Sequence, residues 1–322
     1  MRPPERGFAL IQVLLVFALL AVIVARLQYQ QRVQLERAFQ GQSMSQVQTC
    51  IDSAEAVAKV GLRLEAQQEA PEQLKQLMDE NGNLYLPAFP LGECQMTVSR
   101  YDLQGRFNVN WLHPAAVNPD GAAEGFKRLL LELDLNEGIA DELQQWFDSD
   151  SGAEFNYIDQ EPSYRPSFMP MADISELHLL KAVSSDDYKV LAPYVSALRP
   201  DEPLNINVAS REVLMSLAPF ISREEADGLI EQRGDGFDRV DDLLNLPLFQ
   251  ENDDTPLYNE QLSVTSNWFD LSVEARYQTV ELRQISRLYR TEGDNQVIVN
   301  LRTQAVNGLD LLPSDKEEGS TE

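Results

Sequence analysis

Residues 148–159, DSDSGAEFNYID, place Asp148, Asp150, Glu154 and Asp159 on one short stretch. Closely spaced hard oxygens are what Ca²⁺ takes, with ~6 to 8 oxygen ligands. The spacing echoes the opening of an EF-hand loop and lacks that motif's closing glutamate. The competing reading is a solvated polar loop in which Asp148 and Ser149 cap turns. The only cysteines, Cys50 and Cys94, are too few for a zinc site and suffice for one disulfide in an oxidising compartment or for two buried thiols. The only histidines offer less: His113 adjoins a proline, His178 lies in an apolar helical stretch, and neither has nucleophile or metal spacing. Carboxylates abound without a pair set for acid–base work, so an enzyme is not expected.

The chain has 322 residues, 43% hydrophobic and 24% charged, with a formal net charge of −26. That is enough for a substantial core. The acidity disfavours phosphate backbones, whose affinity comes from Lys and Arg displacing counterions. Residues 8–25 are apolar over nearly the ~20 residues needed to cross a bilayer. No small-residue cleavage site follows them before Arg26. Arg2 and Arg6 precede the span and Arg26, Arg32 and Arg37 follow it, so basic residues leave its orientation open.

No proline falls between Pro4 and Pro71, and Val47, Ile51, Ala54 and Ala58 recur at helical spacing. These predict one helix over residues 8 to about 64, apolar and then amphipathic. Gly41 is its weak point. A short helix is expected at residues 71–78, before the turn ENGN. Met96 and Val98, the turn DLQG, and Phe107, Val109 and Trp111 predict a β-hairpin. Residues 114 to about 261 read as helices joined by loops. Alternation then returns, as in Phe269, Leu271, Val273 and Ala275, and in Val297, Val299 and Leu301. The predicted fold is α+β: one antiparallel sheet on the outer half of the long helix, with a large helical domain inserted between two strands. The segment PSDKEEGSTE has nothing to pack, and residues 308–322 are expected to form a disordered acidic tail.

The start, RG followed by FALIQVLLVFALLA, resembles the leader and span of type IV pilins and type II secretion pseudopilins. The resemblance implies a leader over residues 1–7 and cleavage by prepilin peptidase between Gly7 and Phe8. It also implies methylation of the new Phe8 amine, a retained span over residues 8–25 in the bacterial inner membrane, and a periplasmic body. The family usually carries glutamate at the fifth mature position, where this chain has Gln12. A carboxylate in hydrocarbon is costly unless paired, and glutamate there can meet the amine of an adjoining subunit. Gln12 cannot supply that charge, which implies a subunit with no neighbour ahead of it. The segments YDLQGRFNVNWL, QQWFDSDSGAEFNYI, PSYRP, DISELHLL and LNINVASREVLMSL, in that order, are similar to the general secretion protein K family, which lacks that glutamate.

This resemblance implies a minor pseudopilin at the pseudopilus tip, initiating or capping the fibre during protein export across the outer membrane. Its partners would be other minor pseudopilins and the pseudopilus, with secreted cargo or the outer-membrane secretin as further contacts. It also implies a structural Ca²⁺ site led by Asp150 and Glu154, with Asp148 and Asp159 behind them. The expected division is a pilin helix and first hairpin over 26–111, an inserted domain over 112–262, and returning strands over 263–307. Within the insert, residues 205–248 resemble the helix-hairpin-helix of competence DNA receptors, with Asn207 capping the first helix and Ser222 with Glu225 boxing the second. A membrane-tethered DNA receptor is therefore the alternative, followed by a membrane-anchored hydrolase. DNA-binding versions cradle phosphate on backbone amides of a glycine-containing turn. Here the turn is APFIS, with no glycine, with Pro219 lacking an amide hydrogen, and with Glu224 and Glu225 facing the ligand, so no nucleic acid is expected.

Overall fold

The computed structural model describes residues 6–305 except 68, 70, 235 and 253–260. The first five residues of the expected leader and the expected tail over 308–322 lie outside the described residues. One helix, α1 (Arg6–Ala66), contains Gly7, Phe8 and Gln12 and runs through Gly41 without a break. From Val13 to Phe39 its large apolar side chains are exposed save the half-buried Val33, whereas Val47, Cys50, Ile51, Ala54 and Leu62 are buried. The change marks where the helix meets the rest of the protein.

It meets a five-stranded antiparallel sheet in the order β1-β2-β7-β8-β9. Its first strands are β1 (Leu84–Leu91) and β2 (Cys94–Asp102). The last three are β7 (Trp268–Tyr277), β8 (Val280–Arg290) and β9 (Val297–Ala305). Val98 lies opposite Val273 and Met96 opposite Ala275, and these side chains with Phe269, Leu271, Leu282 and Leu288 form one core with the outer half of α1. Each fully buried aliphatic side chain stabilises this contact by about 1.5–3 kcal/mol. Cys50 and Cys94 form a disulfide that joins α1 to β2. Glu55 is buried in the same face, accepting from Lys59, Arg302 and the Ser286 hydroxyl at 2.8 Å each. Burial pushes this carboxyl up, but the hydrogen bonds from Arg302, Lys59 and Ser286 outweigh it and hold the pKa at about 2.

The predicted hairpin is not the one formed. Upstream, β2 pairs with β1, whose sequence LYLPAFPL hides a strand behind Pro87 and Pro90. An edge strand tolerates prolines, and a register shift lies between Leu86 and Phe89. The one-turn α2 (Glu72–Lys75) replaces the longer helix expected at 71–78. Downstream, β3 (Phe107–Asn108) makes a short parallel pair with β4 (Val195–Ser196), and Val109–Leu112 form a 3₁₀ turn. Phe107, Val109 and Trp111 therefore belong to the inserted domain, whose core runs from Phe107 to Leu262. The alternation misleads because Asn108 and Asn110 are buried as well.

The insert contains α3 (Pro119–Glu132), α4 (Gly138–Phe147) and α5 (Ser185–Leu191), with a 3₁₀ segment at Ile174–Leu179. After β5 (Leu204–Asn205) come α6 (Arg211–Leu217), α7 (Arg223–Arg233), α8 (Val240–Leu244) and α9 (Pro247–Gln250). Finally β6 (Leu262–Ser263) pairs in parallel with β5 and closes the domain before the chain re-enters the sheet.

Two asparagines hold the start of the insert. Asn108 accepts from the Asn110 and Leu198 amides and donates to the Arg199 carbonyl. Asn110, wholly buried, donates to the carbonyls of Met171 and Leu198 at 2.8 and 2.6 Å and accepts from the Met171 amide at 2.8 Å. Buried polar backbone left without partners costs about 1–3 kcal/mol per group. Asn110→Leu is therefore expected to lower unfolding free energy by about 3 kcal/mol or more, measured by urea denaturation. A loss below about 1 kcal/mol would show that the backbone finds other partners.

Candidate functional site

The insert joins the sheet by two crossings, after β2 and before β7, and buried polar side chains tie both. Asp102 ends β2 and accepts from the amides of Gln104 at 2.9 Å and Gly105 at 3.1 Å. Burial pushes its carboxyl up to about 6, against the Ser266 hydroxyl, the Arg100 charge and those two amides. Gly105 is required by close approach, since a Cβ there would meet the Val208 carbonyl oxygen at 2.7 Å. Gln104 accepts from the Asn267 amide at 2.5 Å and the Trp268 amide at 3.3 Å, while donating to the Pro203 carbonyl at 3.0 Å.

Buried arginines brace the same seam. Arg290 donates to the Leu62 carbonyl in the last turns of α1 and to the Ser266 carbonyl at the returning crossing. Arg287 reaches Asp270 on β7, and Asp173 and the Ala172 carbonyl in the insert, each at 2.9 Å. Burial opposes the Arg287 charge, but Asp270 and Asp173 outweigh it and raise its pKa. Arg100 pairs with Glu65 at 2.5 Å. These contacts place the inserted domain at the end of the pilin body where α1 terminates, opposite the exposed apolar span. Sequence reading missed Gln104, Arg287 and Arg290; a long polar side chain beside a predicted crossing is the only signal they carry.

The acidic loop begins at the end of α4. Asp148 accepts from the Asp150 amide at 2.9 Å, the turn-capping role that the polar-loop reading assigns it. Asp148, Asp150 and Asp159 are exposed and Glu154 is half-buried. Among the described residues no group of three or more His, Cys, Asp or Glu side chains converges to hold a metal. One observation fits a cation nonetheless: Glu154 Oε2 is buried with no hydrogen-bond partner. The far side of the loop is fixed by Tyr157, which donates to Glu142 at 2.6 Å and packs edge-on against Trp146. Glu142 also accepts from the Lys181 and Ala182 amides. This anchoring carboxylate was absent from the sequence-based candidates, because nothing in α4 distinguishes it from its acidic neighbours.

In the helical hairpin, Ser222 and Glu225 form the predicted capping box. Asn207 does not cap α6. Ser210 does, and Asn207 instead accepts from the Phe237 amide and donates to the Phe237 and Val264 carbonyls. The Glu225 amide at the start of α7 is taken by Ser222, and Glu224 is exposed beside it. Arg233, at the end of α7, is spent internally on the Ala209 and Glu80 carbonyls. The hairpin packs and braces; among the described residues its α7 start offers no free amide cradle like that of the DNA-binding versions.

Comparison with known proteins agrees with this geometry. Models of type II secretion system protein K match residues 105–201 and 204–265. The type II secretion system protein K of Pseudomonas aeruginosa is 34% identical over 262 residues, covering 76% of this chain and 77% of that protein. The chain belongs to the type II secretion system protein K family. It is thus a minor pseudopilin. The Klebsiella pneumoniae protein K is 29% identical over 308 residues, 87% of this chain and 92% of that protein. The crystal structure of the GspK-GspI-GspJ complex from the enterotoxigenic Escherichia coli type 2 secretion system contains a chain similar at TM-score 0.68 and 26% identity, covering 84% of this chain and 99% of that one. The protein K models start at residue 105, inside the outgoing crossing, and stop at residue 265, inside the returning one. Both matched segments thus fall on the inserted domain.

Proposed function

We propose that this protein K is the membrane-distal subunit of the pseudopilus, starting or capping the fibre that drives export across the outer membrane. The observation that carries the reading is the position of the insert. Arg290 bridges the end of α1 to the returning crossing, so a domain with its own core crowns the end of the pilin body farthest from the apolar span. A subunit stacked above would have to occupy that volume. Gln12 agrees, since a neutral side chain in hydrocarbon does not seek the charged amine of a subunit ahead of it. The relative in the GspK-GspI-GspJ complex is assembled with two other proteins, which supports other minor pseudopilins as partners here. Secretin and cargo contacts would fall on the crown.

In this reading α1 is a single inner-membrane span, the body is periplasmic, and prepilin peptidase cuts between Gly7 and Phe8. The periplasm suits the Cys50–Cys94 bond, because oxidising compartments preserve disulfides. A structural Ca²⁺ at the acidic loop would be held by Asp150 and Glu154, with Asp148 and Asp159 nearby and backbone carbonyls or water completing the oxygen shell. The ion would supply the partner that Glu154 Oε2 lacks.

Mass spectrometry of the protein from its native membrane is expected to read an N-terminus at methylated Phe8; a start at Met1 would remove leader processing. Gold labelling of an epitope on the insert should mark fibre ends alone in electron micrographs, and label along shafts would remove the capping role. For metal-loaded protein, chelation should lower the melting temperature, and Glu154→Gln should lose most of that response. Equal midpoints with and without chelator would exclude a stabilising ion.

A further inference from the structure

Glu142 differs from the other carboxylates around the acidic loop in having both oxygens engaged by the protein. It stands on α4, one turn before Trp146. Its Oε1 accepts from the Tyr157 hydroxyl at 2.6 Å and from the Lys181 amide at 2.8 Å, and its Oε2 accepts from the Ala182 amide at 2.7 Å. One side chain therefore joins α4, the far end of the loop, and the chain that follows the 3₁₀ segment Ile174–Leu179. Tyr157 is the other half of this clamp. It is buried, packs edge-on against Trp146 with ring centroids 5.1 Å apart, and has Lys181 Nζ over its ring at 5.5 Å. Tyr164 lies beside it and donates to the Leu179 carbonyl at 2.7 Å.

Glu154 precedes Tyr157 by three residues, across the single 3₁₀ turn Ala153–Asn156. Side chains three apart on a 3₁₀ helix eclipse each other, so the face that Tyr157 anchors is the face that carries Glu154. The other end of the loop is held as well. Gly152 enters the turn at a φ of 73°, and the Ser151 hydroxyl lies 2.8 and 2.6 Å from the Gln145 and Asp148 carbonyls at the end of α4. Between these two fixed points Glu154 Oε2 stays buried with no hydrogen-bond partner. A buried acceptor in that state is unfavourable until something meets it.

We propose that Glu142 and Tyr157 are positioning residues for a Ca²⁺ ion at the acidic loop, presetting Glu154 and coupling the ion to the segment from Leu179 to Ala182. The inference rests on the calcium reading above and adds the residues that make the loop competent for it. Neither residue is a ligand. Partners that orient a metal ligand from behind contribute roughly 10–100-fold to metal affinity. The coupling is reciprocal by linkage: if the clamp favours the ion, the ion favours the clamp, and the Lys181 and Ala182 amides that Glu142 holds become harder to open.

Calcium chloride titrated calorimetrically into the chelator-stripped full chain in detergent, with amide hydrogen exchange read in parallel, tests this. Tyr157→Phe keeps the ring against Trp146 and removes only the hydroxyl; Glu142→Gln, which removes the charge, is the second variant. Both should bind Ca²⁺ about tenfold more weakly or worse, with the metal-free melting temperature of Tyr157→Phe within about 2 °C of the parent. Saturating Ca²⁺ should slow exchange at Lys181 and Ala182 about tenfold in the parent and leave both amides unaffected in Tyr157→Phe. Unchanged affinity in both variants beside a parent that binds would overturn the positioning role and leave the calcium reading standing. An equal response of the two amides in parent and Tyr157→Phe would overturn the coupling. A parent that takes up no Ca²⁺ would remove the calcium reading and this inference with it.

Discussion

Gln104 is where the outgoing chain, the middle of the insert and the returning chain meet. Its side chain takes the Asn267 and Trp268 amides and gives to the Pro203 carbonyl, and its own carbonyl accepts from Asn205. Two single-chain crossings would by themselves leave a large domain free to swing, since inter-domain contacts of modest size permit motion. Here buried polar groups tie both crossings. Asp102 sets the outgoing turn, Arg290 binds the returning crossing to α1, and Arg287 binds the insert to the sheet. The domain is thus held at one end of the pilin body in one orientation.

Such bracing carries a physical cost, and the neighbouring charges show how it is offset. A buried guanidinium is unfavourable unless its donors are met. Arg287 faces two carboxylates and a carbonyl, while Arg290 and Arg233 rely on backbone carbonyls and have their pKa values lowered by burial. Glu55 is the counterpart on the α1 face, kept ionised by Arg302, Lys59 and Ser286. These internal arginines consume part of a small basic complement in a chain whose net charge is −26. Such an acidic balance disfavours contact with phosphate backbones.

The single unbroken α1 links the two ends of the molecule. At one end the neutral Gln12 stands in the apolar segment; at the other the last turns of the helix meet the returning crossing at Arg290. Together they are the two features on which the proposed terminal position rests.

Hydrophobic pattern settled much of this in advance. The apolar run and the spacing of Val47, Ile51 and Ala54 predicted α1. The period-two segments predicted β7 and β9, and the interruption between them predicted an insert. Those signals are local, because burial of a helix face or strand face repeats within the sequence. What tertiary structure decided are the features in which polarity and burial part company. Asn108 and Asn110 look like the outward positions of a strand and are buried because backbone carbonyls from Met171, Leu198 and Arg199 converge on them. Pro87 and Pro90 sit in a strand because β1 holds an edge, where a missing amide hydrogen is tolerated. Glu142 and Gln104 look like any other polar residues until distant segments bring amides to them. A sequence records which groups need partners, but only the folded chain determines which partners arrive.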